Sequence, residues 1–209
     1  MPKKAYILFD DFRSKVRKRE LTRAKIENLL INNSLDESDV LTVYDGLFLG
    51  LFTDFEQLLE ELFWGLLQGK ITIDKRRIDG IRKVKISPQS EINSVILGGQ
   101  KYLDWLPYEK TIERAKIFFY DGIPFNNLDN DQKNNLRYYH RIRNAIAHKS
   151  PKAQADFDRI IQNSRLPPSQ RTPAGYLRSK PRGQETQYEI AAGQLIQIAS
   201  ILCKPNLED

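Results

Sequence analysis

The sequence predicts an all-α fold, and three observations support this class. Apolar residues recur every three or four positions over most of the 209-residue chain, which is the spacing of amphipathic helices. The stretch 41–67 is apolar over more than one face, as in a helix buried on several sides. Alternation of apolar and basic residues, typical of exposed strands, is confined to one insertion, residues 70–99. We therefore expect a single helical domain over residues 1–209, with about five to six helices.

Charge and cysteine content narrow the function classes. The chain has 33 Lys and Arg against 27 Asp and Glu, and the resulting net charge of +6 suits a polyanion such as RNA, DNA or anionic lipid without choosing among them. Cys203 is the only cysteine, so the sequence excludes an internal disulfide and a thiolate zinc site.

The chain is expected to be a soluble, cytoplasmic protein. Its most apolar window, 41–67, is interrupted by acids such as Asp45 and Asp54, so it is predicted to be a core helix and not a membrane span. Asp10 and Asp11 end the short apolar run near the start, and no cleavage pattern follows them. We therefore expect no signal peptide.

The first two helices are predicted from Tyr6 to about Ile31 and from the turn at 34–39 to about Gln68. The polar face of the first is basic, and it is either an ordinary solvated surface or a surface that contacts RNA. In the second, Ser34 or Asp36 can cap the start and Gly69 ends the helix. Because this long helix is apolar on several sides, we expect it to lie centrally or also to face a second subunit.

Residues 70–99 form a basic insertion, in which we predict a short hairpin or extended segment around Gly80. The insertion is either the solvent face of two exposed strands or an arm that follows phosphates. In the second case Arg76 and Arg77 are its candidate RNA-binding residues.

Helical patterns return after the insertion. A helix is predicted over 107–120, and Pro124 then prevents helix continuation in the turn that follows. Asp129 or Asn130 can cap the next helix, and another short helix begins at Pro151.

The end of the chain combines a loop and a helix. Residues 164–184 are rich in proline and basic residues and contain no acid, so we predict a cationic Pro-rich loop there. Long loops are often functional, which makes Arg171 and Arg178 candidate RNA-binding residues. A final amphipathic helix is predicted over 185–202.

Both histidines of the chain lie in one predicted helix, within the stretch YYHRIRNAIAHKS, residues 138–150. Helix positions four apart differ by about 40° around the axis, and positions seven apart nearly coincide. His140, Arg141, Asn144 and His148 therefore share one face. Arg143 stands on the flank of that face, and the apolar residues between them dock the helix.

This polar ridge has the residue types that cleavage of an RNA phosphodiester requires. Arginine binds phosphate in a bidentate manner at any physiological pH, and histidine transfers protons near neutrality. We expect the substrate's 2′-hydroxyl to attack phosphorus while His148 acts as acid or base, Arg143 binds the phosphate and Asn144 orients either of them. This chemistry needs no metal. The simpler alternative is that His148 caps the helix end and Arg143 makes a structural ion pair.

The segment from Arg143 to His148, RNAIAH, resembles the signature of HEPN domains, in which an arginine precedes a histidine by four to six intervening residues and a polar residue often follows the arginine. Arg143 fits with four intervening residues and Arg141 with six; Arg143 is preferred because Asn144 follows it. The helical segments DFEQLLEELF and KTIERAKIFFYDG upstream also match. The resemblance covers about residues 40–160 and the last helix, and it is greatest to the prokaryotic RiboL-PSP-HEPN branch.

The resemblance implies a HEPN-like helical bundle with metal-independent endoribonuclease activity and no cofactor, acting as a toxin or in antiphage defence. It also implies a homodimer in which two motif helices form one cleft, with an antitoxin or other inhibitor protein as a further partner. An upstream acid often supports the HEPN motif, and Glu56 is the candidate here. His140, Arg141 and Lys149 are the candidate RNA-binding residues around the motif.

One position departs from the resemblance. HEPN toxins paired with nucleotidyltransferase antitoxins carry a tyrosine two residues after the histidine, and this chain has Ser150 there. Inhibition through modification of that tyrosine is therefore not expected. Two other functions stay open: a non-catalytic RNA-binding or adaptor HEPN protein, and a helical dimerisation or signalling module whose ridge is a polar interface.

Overall fold

The chain folds mainly into α-helices, which confirms the predicted class. The structure, a computed structural model, describes residues 2–73, 82–83, 103–164, 166–181 and 183–204. Seven α-helices lie in these ranges: α1 (Tyr6–Ile31), α2 (Glu37–Leu67), α3 (Tyr108–Phe118), α4 (Asn130–Ala147), α5 (Pro151–Ile161), α6 (Pro173–Arg178) and α7 (Gln187–Cys203). Two short strands accompany them, β1 (Lys3–Lys4) and β2 (Ile71–Thr72). No helix in these ranges is long and apolar enough to cross a membrane.

The long helix α2 contributes more buried residues than any other described element. It ends before Gly69, whose φ of +72° lies in the left-handed region that suits a glycine, as the sequence predicted. Its apolar residues are buried on several sides of the helix: Val40, Tyr44, Leu47, Phe48, Leu51, Phe52, Phe55, Leu58, Leu59, Leu62, Phe63, Leu66 and Leu67. The chain itself thus covers this apolar circumference, and its burial does not require a second subunit.

The contacts divide the chain into two compact units, and α1, α2, α4 and α7 each contribute residues to both. The first unit holds the described residues of Met1–Asp11, Glu56–Lys133 and Gln197–Asp209. The second holds those of Phe12–Phe55 and Asn134–Ile196.

The core of the first unit is an aromatic cluster around Phe63. Its ring centroid lies 5.1 Å from that of Phe119, 5.3 Å from Trp105 and 5.6 Å from Phe125. In the same unit β1 pairs with β2 in parallel, with Lys3 opposite Ile71. The sequence did not indicate this pairing, because two-residue strands leave no periodicity to read.

The core of the second unit contains a tyrosine-rich cluster. The ring of Phe48 lies 6.5 Å from Tyr139 and 6.4 Å from Tyr188, and Tyr188 lies 6.0 Å from Tyr44. The Tyr139 hydroxyl donates to Gln194 Oε1 at 2.7 Å. These contacts hold α2, α4 and α7 together around the residues that precede the histidine motif.

The Pro-rich segment is not a loop throughout, and the prediction over 164–184 was wrong in this respect. A 3-10 helix at Pro168–Gln170 and the helix α6 lie within it. The Thr172 side chain caps α6 by accepting from the Gly175 N–H at 3.1 Å, and Pro173 occupies the first turn, where its missing N–H costs nothing. Residues 174–177 are all buried, so the segment packs into the second unit.

The structure describes only part of the basic insertion. Apart from residues 70–73 and 82–83, the hairpin predicted over 70–99 lies outside the described residues, as do Arg76 and Arg77. Arg82 forms an isolated antiparallel bridge to Phe119.

Candidate functional site

Helix α4 carries most of the motif, and its start is capped as the sequence indicated. The Gln132 N–H donates to Asp129 Oδ1 at 2.7 Å, and the Asp129 N–H donates to Gln132 Oε1 at 2.9 Å, which is a reciprocal capping box. The buried residues of α4 recur every three positions: Leu136, Tyr139, Ile142 and Ala145. This spacing fixes the rotation of the helix and leaves the polar residues of the motif on its other side.

Asn144 links two other polar residues of the motif. Arg143 Nη1 donates to Asn144 Oδ1 at 3.1 Å. Asn144 Nδ2 lies 3.3 Å from His140 Nε2. Because the amide oxygen accepts from the guanidinium, the amide nitrogen is the donor and His140 Nε2 the acceptor, which places the proton of a neutral His140 ring on Nδ1. All three side chains are half-buried.

His148 lies one residue beyond the end of α4. Its backbone N–H still donates to the Asn144 carbonyl at 2.8 Å, so it continues the helical turn. Its side chain is exposed and makes no hydrogen bond within the described ranges. The imidazole therefore does not cap the helix. The next residue but one, Ser150, caps α5 instead, because its hydroxyl accepts from the Ala153 N–H at 3.3 Å.

Asp45 on α2 is a charged residue near the motif that the sequence analysis did not select. Its side chain is half-buried, and Oδ1 is buried with no hydrogen-bond partner among the described residues. Burial raises the pKa of its carboxyl to about 6, and the charge of Lys149, next to His148, offsets part of that rise. The available signal was its setting, since Asp45 is the only charged residue between Asp39 and Asp54 in an apolar run.

The remaining candidates are dispersed. Arg141 and Lys149 are exposed, and Glu56 is half-buried on α2 in the first unit. Arg171 is exposed, and its Nε donates to the Leu166 carbonyl at 3.2 Å. Arg178 already forms ion pairs within the chain.

The partners of Arg178 are two glutamates. Its Nε and Nη2 donate to the two oxygens of Glu27 at 2.9 and 3.1 Å, and Nη1 donates to Glu37 at 3.1 Å. The Arg178 guanidinium lowers the pKa of Glu27 against the opposing effect of burial. A phosphate would have to compete with both carboxylates for this arginine.

The structure thus brings together His140, Arg143 and Asn144, with His148 at the end of the same helical turn. Within the described part of the chain, no three or more His, Cys, Asp or Glu side chains are grouped so that they could hold a metal ion. No family model matches the chain, and neither a curated protein nor a solved structure matches it. The resemblance to HEPN domains therefore rests on the motif and its helical context.

Proposed function

We propose that this protein is a metal-independent endoribonuclease of the HEPN type, acting on tRNA, rRNA or mRNA as a toxin or antiphage effector in the cytoplasm. The observation that carries the proposal is the arrangement around Asn144, which holds the guanidinium of Arg143 beside His140, one helical turn before His148. An arginine held by a neighbouring amide is a pre-oriented phosphate ligand.

The reaction follows from these groups. The 2′-oxygen of the substrate forms a bond to phosphorus, and the bond from phosphorus to the 5′-oxygen breaks, leaving a 2′,3′-cyclic phosphate and a 5′-hydroxyl. His148 takes the proton of the 2′-hydroxyl or gives one to the leaving 5′-oxygen, and Arg143 neutralises the charge that develops on the phosphoryl oxygens. Because the nucleophile is the 2′-hydroxyl, DNA should be a poor substrate.

A homodimer would complete this site. The resemblance places two motif helices in one cleft, and the exposed imidazole of His148 is free to face a second copy of the motif. An antitoxin or other inhibitor protein would then act by covering the cleft. Two inactive variants, Arg143→Ala and His148→Ala, test the shared cleft: if each site uses residues from both subunits, mixing them restores up to about a quarter of the wild-type activity, as random pairing predicts.

A second function is favoured by one observation. His148 has no hydrogen bond within the described ranges to orient its ring, whereas a working acid or base is usually held in place. A non-catalytic RNA-binding or adaptor protein would need no such orientation.

The deciding experiment compares wild type, His148→Ala, Arg143→Ala and Arg141→Ala on total RNA and tRNA in EDTA, with the product ends mapped. We expect 2′,3′-cyclic phosphate ends from wild type and a loss of about 10²-fold or more in His148→Ala. Arg143→Ala should lose more activity than Arg141→Ala. Lys152→Ala, which removes an exposed charge on α5, is the matched control and should stay active.

Two results would contradict the proposal. Undiminished cleavage by His148→Ala would remove the motif from the mechanism. Intact RNA with every variant, together with equal and salt-sensitive binding, would favour the adaptor.

A further inference from the structure

A pocket of about 680 Å³ opens in the first unit, beside β1, β2 and the last turns of α2. This volume lies within the usual range of small-molecule sites. Its walls include Pro2, Leu8, Trp64 and Ile71, and the surface that they expose is mainly apolar. Nothing in the proposed cleavage reaction uses this pocket.

Trp64 supplies an aromatic wall. It is one of two tryptophans in the chain and is half-buried, with its ring against the edge of Phe63 at a centroid distance of 6.2 Å. The other, Trp105, is only 4% exposed. A partly exposed indole on an apolar floor provides a surface on which a flat aromatic ring can stack.

The rim of the pocket is positively charged. Lys3 and Lys70 line it, and the Lys3 N–H donates to the Lys70 carbonyl at 2.8 Å, so the two residues are neighbours. Lys4 follows on β1, and all three lysines are exposed with no ion-pair partner in the described ranges. The one acid of the lining, Glu61, accepts a hydrogen bond from the Gln57 amide at 2.7 Å.

An occupant that matches this pocket combines an aromatic ring with negative charge on either side. We propose that the pocket binds one unpaired base of a single-stranded RNA, with the base stacked on Trp64 and neighbouring phosphates held by Lys3 and Lys70. The Gln68 amide, also in the lining, can donate to and accept from a base edge. The choice of RNA rests on the proposed function, and the pocket would act as a substrate-holding subsite apart from the motif.

The test uses the fluorescence of Trp64 with a short 2′-O-methyl RNA oligonucleotide, which cannot be cleaved because it lacks a free 2′-hydroxyl. We expect quenching in wild type and in Trp105→Phe, and loss of the quenching in Trp64→Phe. Trp64→Leu should weaken binding by about tenfold, as expected for removal of one stacking platform. Circular dichroism and thermal unfolding check that each variant is folded.

Charge variants complete the test. Lys3→Gln with Lys70→Gln should weaken binding and reduce its salt dependence. Lys116→Gln with Lys152→Gln is the matched control, because both lysines are exposed and neither belongs to the pocket lining. An equal loss in both double variants, or no quenching in folded wild type, would overturn the pocket as an RNA site.

The outcome is separable from that of the cleavage assay. Quenching without RNA cleavage by wild type would overturn the nuclease and support the pocket. Cleavage that depends on His148, without quenching, would overturn the pocket alone. Quenching by an uncharged apolar ligand but not by the oligonucleotide would assign the pocket to another partner and also overturn this proposal.

Discussion

At the scale of single residues, Asn144 organises the candidate site, because its amide oxygen contacts Arg143 and its amide nitrogen contacts His140. The sequence placed this asparagine beside an arginine and between two histidines, and from that alone it was expected to orient Arg143 or His148. The structure shows it joined to Arg143 and to His140. Helix geometry predicts which residues share a face, but it does not predict which rotamers meet, so the link to His140 could not be read from the sequence.

The sequence marks Asp45 only as an isolated charge in an apolar run, and its link to the motif could not be predicted because it depends on Lys149, 104 positions later in the chain. Its raised pKa makes a prediction about stability. The folded chain binds the proton of Asp45 more tightly than the unfolded chain does, so ionisation of this carboxyl lowers the free energy of unfolding as pH rises from about 4 through about 6.

Asp45→Asn should therefore raise the free energy of unfolding at pH 8 by about 1–3 kcal/mol and leave it nearly unchanged at pH ~2.5, where the wild-type carboxyl is protonated in both states. Urea denaturation at the two pH values measures the difference. Asp54→Asn on the same helix is the control with the opposite sign, because it removes an ion pair to Arg19. A pH-independent effect of Asp45→Asn would contradict the assignment.

Two buried tyrosines of the second unit differ in whether their hydroxyl is satisfied. The Tyr139 hydroxyl donates to Gln194, whereas the buried Tyr188 hydroxyl has no partner in the described part of the chain. Tyr139→Phe should lower the free energy of unfolding by about 1 kcal/mol, and Tyr188→Phe should leave it unchanged or raise it slightly. Denaturant unfolding of both variants gives the comparison, and equal losses would show that Tyr188 has a polar partner.

At the scale of elements, the sequence predicted the helices of eleven or more residues well and the shorter elements poorly. The bounds of α1 and the end of α2 at Gly69 follow from periodicity and a helix-ending glycine, which are local signals. Helix α6 was missed because its six residues are too few to show a period, and its prolines resemble those of a loop. Thr172 caps this helix locally, whereas the ion-pair partners of Arg178, Glu27 and Glu37, are distant in sequence.

Two glycines of α2 should respond oppositely to the same substitution. A Cβ at Gly65 would lie 2.9 Å from the Cβ of Ile71 and closer still to its outer carbons, whereas a Cβ at Gly46 meets nothing within 4 Å. Gly65→Ala should therefore displace β2 and lower the free energy of unfolding by about 1–3 kcal/mol.

Gly46→Ala should raise the free energy of unfolding by up to about 1 kcal/mol, since alanine favours an exposed helical position. Thermal and urea unfolding of the pair measure both effects. A stabilising Gly65→Ala would mean that Ile71 moves aside without cost, and the close approach of β2 to α2 would then have no energetic significance.

At the scale of the whole molecule, the net charge of +6 and the exposed basic residues on several elements predict the salt dependence of the proposed RNA binding. Affinity for an RNA oligonucleotide should fall by at least about tenfold between 50 and 200 mM salt, because bound phosphates release counterions. Fluorescence anisotropy measures this slope in His148→Ala, which under the proposed function should bind RNA without cleaving it. Salt-insensitive binding, or none, would instead favour the dimerisation or signalling module.

The sequence could predict the helical class and the motif because both depend on the spacing of residues that are close together in the sequence. It could not predict the two compact units, since each is assembled from segments far apart along the chain. The aromatic cluster around Phe63 and the pocket at Trp64 depend on such long-range contacts.

The first unit joins an early segment of the chain to a late one, with the ammonium of Lys204 lying 4.3 Å from the ring centroid of Phe9. Because a ribosome synthesises the chain from its amino end, almost two hundred further residues are added after Phe9 before Lys204 is made. The first unit includes described residues from 197 onward, so it is complete only after α7 has left the exit tunnel. The described lining residues of the pocket at Trp64, by contrast, all lie between residues 2 and 71, so they are synthesised long before α7.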